Sequence, residues 1–131
     1  MQATVAYEPF VKKLLEKSEQ GRLNWVERRR PEVDSHAMLL GRVDSLTYFT
    51  CTVEGEYTFE SERTDEGYKL TIKDSKGVEF FSITGEQAIV YDDPKKEELF
   101  SMLRDLYELA RNKALNVDEK LATAAVLLDK I

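Results

Sequence analysis

Cysteine and histidine are nearly missing: one of each, Cys51 and His36, occurs in 131 residues. A single cysteine closes no intramolecular disulfide, and one thiol with one imidazole is too small a set for a Cys/His zinc site. Secreted disulfide scaffolds and zinc modules are excluded. The six glycines are isolated from one another, so neither of the glycine-rich loops that cradle phosphates occurs. Only three prolines are present, and two of them, Pro9 and Pro94, suit the first turn of a helix. No apolar run approaches the roughly 20 residues that span a bilayer. Met1 to Tyr7 lacks the basic region followed by an apolar one that marks a signal peptide. We therefore expect a cytoplasmic protein with no membrane partner.

What is present suffices for one domain over residues 1–131. The 42% apolar content supports a core without help from a metal or cofactor. The formal net charge is −6, and the acidity is concentrated in residues 43–91, which hold 4 basic and 10 acidic side chains. With a pI near 4.9, this balance argues against nucleic acid as a partner.

From Pro9 to Gln20, Phe10, Leu14 and Leu15 form one stripe with charged residues opposite, which reads as a helix stopped at Gly21. Leu23 to Val26 suits an extended segment, with Trp25 leaning back on the helix, and residues 27–35 read as a charged loop. From His36 to Thr84 the apolar period changes to two, with turn residues at short intervals. Strands are expected near His36–Val43, Leu46–Glu54, Glu56–Arg63, Tyr68–Asp74 and Val78–Thr84, and a short edge strand at Ala88–Tyr91. The Asp74-Ser75-Lys76-Gly77 loop sets a hairpin register that puts Lys73 opposite Glu79 and Ile72 opposite Phe80, while the loop at residues 64–67 sets Glu62 opposite Lys69 and Phe59 opposite Ile72. One face then gathers Tyr57, Phe59, Leu70, Ile72, Val78 and Phe80. Asp93 before Pro94 caps a helix carrying Leu99, Met102, Leu103, Leu106, Tyr107 and Ala110, and Asn116 with Glu119 resembles the capping box of a last helix. The expected fold is α+β: an N-terminal helix, an antiparallel meander of four or five strands, and two C-terminal helices on the sheet.

The N-terminal residues Phe10, Leu14-Leu15, Lys17-Ser18, Gly21, Leu23 and Trp25, with Leu106-Tyr107 and Ala110-Arg111 near the end, resemble a pattern in small bacterial proteins of unassigned function. The resemblance implies the same layout of helix, meander and C-terminal helix. It carries over no catalytic residue, no cofactor and no metal.

Candidate chemistry is sparse. Cys51 alternates with Phe49 and Val53 and reads as a small core residue rather than a nucleophile. The acidic pairs have structural roles as caps, first-turn charges and loop residues. Two surfaces remain. On the register above, Phe81 and Ile83 turn outward onto a face that should be polar, and such patches usually mark interfaces. Beside them Glu54, Glu56 and Glu60 are acidic residues left without a cross-strand partner. These five residues point to a non-enzymatic protein-binding or adaptor domain, self-associating as a homodimer. The alternative is a small-ligand or nucleotide and anion site, with Arg28, Arg29 and Arg30 as clamp and Trp25 as stacking surface.

Overall fold

A proline in the first turn and a glycine just past the end mark the first helix. In the computed structural model, which describes residues 7–30, 47–87 and 93–131, helix α1 spans Tyr7–Glu19. Pro9 sits in its first turn, where a missing N–H costs no hydrogen bond. Gly21 ends the helix in the left-handed region at φ +71°. Its N–H donates to the Ser18 carbonyl and that of Arg22 to the Lys17 carbonyl, which satisfies two carbonyls that the helix end would leave unpaired. The turn returns Trp25 to α1, where its Nε1–H donates to Ser18 Oγ at 3.0 Å. The Ser18 hydroxyl in turn donates to the Leu14 carbonyl at 2.9 Å. The Ser-x-x-Gly-x-x-x-Trp spacing is thus a structural latch.

Among the described residues five strands follow, β1 (Val26–Arg29), β2 (Thr47–Val53), β3 (Tyr57–Arg63), β4 (Gly67–Lys73) and β5 (Glu79–Glu86). They form one antiparallel sheet in the order β1-β2-β3-β4-β5. The loop expected from Glu27 is replaced by β1, whose Arg28 and Arg29 face Tyr48 and Thr47. An outer strand keeps its side chains in water, so its charges cost little there. The strand expected at His36–Val43, the segment Ala88–Tyr91 and His36 itself lie outside the described residues.

The hairpin registers follow the turns. Phe59 faces Ile72 and Glu62 faces Lys69, as expected. In the next loop Asp74 Oδ1 accepts from the N–H groups of Lys76 and Val78, and Lys73 faces Glu79. There the expected register fails. Ile72 faces Phe81, not Phe80, because the strand shifts register between Ile72 and Lys73. Phe80 is the extra residue of a β-bulge, and each residue after it changes face. Phe81 and Ile83 consequently pack against the core, which corrects their expected outward placement. Their neighbours Ser82 and Thr84 take the opposite face and are exposed.

At the β2–β3 turn Glu54 and Gly55 both have positive φ, +56° and +69°, and the Glu56 N–H donates to the Val53 carbonyl. Glycine adopts this conformation freely, whereas glutamate does so at a cost of roughly 1 kcal/mol. Asparagine is favoured at the first central position of such turns. Glu54→Asn is expected to stabilise the fold by about 0.5–1 kcal/mol, read by calorimetry as a rise in Tm of roughly 2–4 °C.

Two helices complete the chain, α2 (Pro94–Ala114) and α3 (Val117–Leu128). Asp93 Oδ1 accepts from the Lys95 N–H at 2.9 Å, with Pro94 behind it, so α2 begins as expected. Helices α1 and α2 lie together on one face of the sheet, joined by Lys12 Nζ midway along α1 and Glu98 near the start of α2 at 3.4 Å. The core between layers consists of Val11 and Leu14 of α1, Met102, Leu103, Leu106 and Ala110 of α2, and Trp25, Phe49, Cys51, Phe59, Leu70 and Ile72 below them. Of the C-terminal helices, α2 alone covers the sheet. Among the described elements, α3 touches only α2.

Candidate functional site

Helix α3 is built to be covered. From Leu121 to Leu128 its sequence is Leu-Ala-Thr-Ala-Ala-Val-Leu-Leu, and a helix apolar on nearly all sides normally belongs in an interior. Yet none of its residues is buried. Leu121 is 63% exposed, Leu128 68% and the following Ile131 fully so. The helix does not open with the expected capping box: Asn116 is left-handed at φ +53° and its side chain makes no capping hydrogen bond. The apolar phase explains the mismatch. Phe100, Leu103, Tyr107, Ala110, Ala114, Val117, Leu121, Ala124, Leu128 and Ile131 recur at alternating steps of three and four, so one heptad seam runs unbroken from α2 into α3. Asn116 interrupts the backbone without interrupting the pattern.

A second apolar surface lies at the start of α1. Tyr7, Phe10, Tyr57, Phe59, Ile72, Phe80 and Phe81 line a groove of about 440 Å³. The bulge forms one wall, because it brings Phe80 beside Tyr57 with ring centroids 5.9 Å apart, edge to face. Phe10 packs on Phe59 at 5.8 Å. Tyr7, Phe10, Tyr57 and Phe80 remain between 36% and 56% exposed. This volume and apolar lining suit the side chains of an inserted helix.

The other face of the sheet is polar and internally neutralised. Glu62 Oε2 lies 2.7 Å from Arg30 Nη2, and the Arg30 guanidinium sits 4.4 Å from the centre of the Tyr48 ring. Glu60 pairs with Lys73 Nζ at 2.9 Å. Hydrogen bonding to Glu60 raises the Lys73 pKa above its usual value. Its contribution is therefore fully present at neutral pH and is lost only when pH climbs through that raised value. Thr52 and Thr58 share a hydrogen bond across β2 and β3 at 3.0 Å. Among the described residues, Arg30 Nη1 and Thr50 Oγ1 are buried with no hydrogen-bond partner.

These positions redistribute the residues expected at a site. Glu54 and Glu56 are exposed at the β2–β3 turn. Glu60 is buried and paired, so the expectation that it lacks a partner is corrected: Lys73 reaches it diagonally from β4, where Thr71 is the residue directly opposite. Arg28 and Arg29 are exposed on β1, while Arg30 is engaged by Glu62. Trp25 is 2% exposed and its N–H is taken by Ser18, so its ring offers no face to a ligand and the three arginines are not gathered around it. Cys51 is buried opposite Phe59, and burial pushes its thiol pKa up against the lowering effect of the Asn24 backbone. Sequence reasoning places Tyr57 and Phe80 on one face with Phe59 and Ile72, and misses that Tyr7 and Phe10 of α1 join them, because that depends on tertiary packing. The apolar end of the last helix at Leu127, Leu128 and Ile131 reads from the sequence as a surface that should dock, whereas the continuity of the heptad seam from α2 into α3 was missed.

Among the described residues, no helix is long and apolar enough to cross a membrane, and no group of three metal-ligating side chains comes together. No known protein family, curated protein or solved structure matches the chain.

Proposed function

We propose that this chain is a non-enzymatic protein-binding domain that acts as a homodimer, with α3 as the element that engages its partner. The observation that carries the reading is a twelve-residue helix with no buried residue whose second half is almost entirely apolar. Surfaces of this kind on a folded domain are interaction sites as a rule. The location differs from Phe81 and Ile83, which face the core, and from the acidic turn at Glu54 and Glu56.

Light scattering coupled to gel filtration tests the reading. The wild-type chain is expected at twice its 15.1 kDa mass. The Leu121→Glu, Leu128→Glu double variant is expected at 15.1 kDa with an unchanged circular dichroism spectrum, since neither residue packs in the core. A wild-type protein that remains monomeric up to its solubility limit overturns the dimer.

A further inference from the structure

Resting on that self-association, we infer that α3 of one copy inserts into the aromatic groove of a second copy, and that the second copy returns the contact. The chain carries both halves of a helix-in-groove interface and places them apart. The middle of α1 meets the start of α2 through Lys12 and Glu98, and the groove lies at the first turn of α1 with Tyr7 and Phe10. The last turn of α1, at Ser18 and Glu19, instead shares a cleft with Asn112, Asn116 and Glu119 at the α2–α3 junction. Groove and helix thus belong to opposite ends of α1, and among the described residues α3 does not reach the groove of its own chain.

The side chains match in kind. Leu121, Ala124 or Ala125, and Leu128 stand at i, i+3 or i+4, and i+7, the spacing with which an amphipathic helix anchors in an apolar groove. The alanines between the leucines let the helix backbone come close to the aromatic walls. Because α3 is apolar well beyond one seam, groove walls on two sides cover it better than a single partner helix could.

Area separates this arrangement from its rivals. Leu121, Val126, Leu127, Leu128 and Ile131 are between 55% and 101% exposed, together more than three whole aliphatic side chains. Tyr7, Phe10, Tyr57 and Phe80 together expose nearly two whole rings. On the usual areas of such side chains, each surface offers on the order of 350 Å², and both together approach the roughly 800 Å² that each partner contributes to a stable interface. Pairing α3 with α3 uses only half of this and leaves the groove open. A reciprocal exchange uses all of it, and the contact closes on itself as a two-fold dimer.

Photo-cross-linking decides the case. The chain is made with p-benzoylphenylalanine at position 128, as an equal mixture of ¹⁴N- and ¹⁵N-labelled protein, and cross-linked peptides are mapped by mass spectrometry. Cross-links from α3 to peptides containing Phe10, Tyr57 or Phe80, joining light to heavy chains, are expected. Phe80→Asp, at a residue that is 56% exposed, is expected to weaken dimerisation at least tenfold with the circular dichroism spectrum unchanged. Cross-links from α3 to α3, cross-links only within one chain, or a Phe80→Asp variant as dimeric as wild type would each overturn the groove while a wild-type dimer left the self-association standing. A monomeric wild type would remove both.

Discussion

Trp25→Ala is expected to cost about 3–5 kcal/mol, the usual loss for truncating a fully buried aromatic side chain. Domains of this size are stable by roughly 5–15 kcal/mol in all, so the variant should melt roughly 10–20 °C lower or fail to fold. The size of the effect follows from where the indole lies. It is 2% exposed and fills the space between α1 and β2, against Leu14 and Cys51 in the same core, and it is the largest of the fully buried side chains. Its N–H adds a second, separable contribution through Ser18 Oγ. Trp25→Phe retains most of the apolar burial and removes only the donor, so its cost should be about 1–2 kcal/mol. Urea titrations of the three proteins, followed by far-ultraviolet circular dichroism because the indole is the reporter being removed, measure both steps. A Trp25→Ala loss below about 1 kcal/mol would mean that the latch contributes no core packing.

Glu62→Ala should be nearly as costly, about 3 kcal/mol. Removing one member of a buried pair costs 3–5 kcal/mol because the other charge stays behind without a partner. The lower end applies because the Arg30 side chain keeps 23% of its surface in water. Arg30 is poorly placed to recover, since among the described residues its Nη1 is buried without an acceptor, and its guanidinium lies over the Tyr48 ring. The Arg30→Met, Glu62→Leu double variant removes both charges and should recover most of the loss. A double-mutant cycle in urea supplies the check. If Glu62→Ala alone costs less than about 0.5 kcal/mol, the pair behaves as a solvated surface pair and the second face contributes little to stability.

The parts of the fold that were legible in the chain are those dictated by local backbone chemistry. Gly21, Asp93-Pro94 and the loop ending at Gly77 each limit the conformations open to a few residues, and the structure follows them. The Phe59–Ile72 and Glu62–Lys69 pairings come from the length of a loop and need nothing distant. The misread parts depend on tertiary context. In Phe80-Phe81-Ser82-Ile83 two adjacent aromatics fit either face, so the period of two does not reveal the bulge, and a one-residue slip reverses every side chain behind it. Arg28 and Arg29 have little strand preference of their own and become β1 only because β2 offers an edge. The Asn116-Glu119 spacing suggested a cap, while the heptad seam running past it belonged to a longer pattern. Four of the groove's seven residues, Tyr57, Phe59, Ile72 and Phe80, were legible as one face of the sheet, whereas Phe81 joins them only through the bulge and Tyr7 and Phe10 only through the packing of α1.

The bulge also governs what the sheet refuses. An outer strand presents unpaired main-chain donors and acceptors, and a flat one invites another chain to add a strand and start a fibril. At one margin of this sheet, β5 is kinked by Phe80 and carries Glu79 and Glu86 at its two ends. At the other, β1 is only four residues long, and three of these are Glu27, Arg28 and Arg29. Short length, charge and a kink are the devices that block edge-to-edge growth. These features of the described strands disfavour main-chain stacking between copies of this chain and so oppose growth into aggregate.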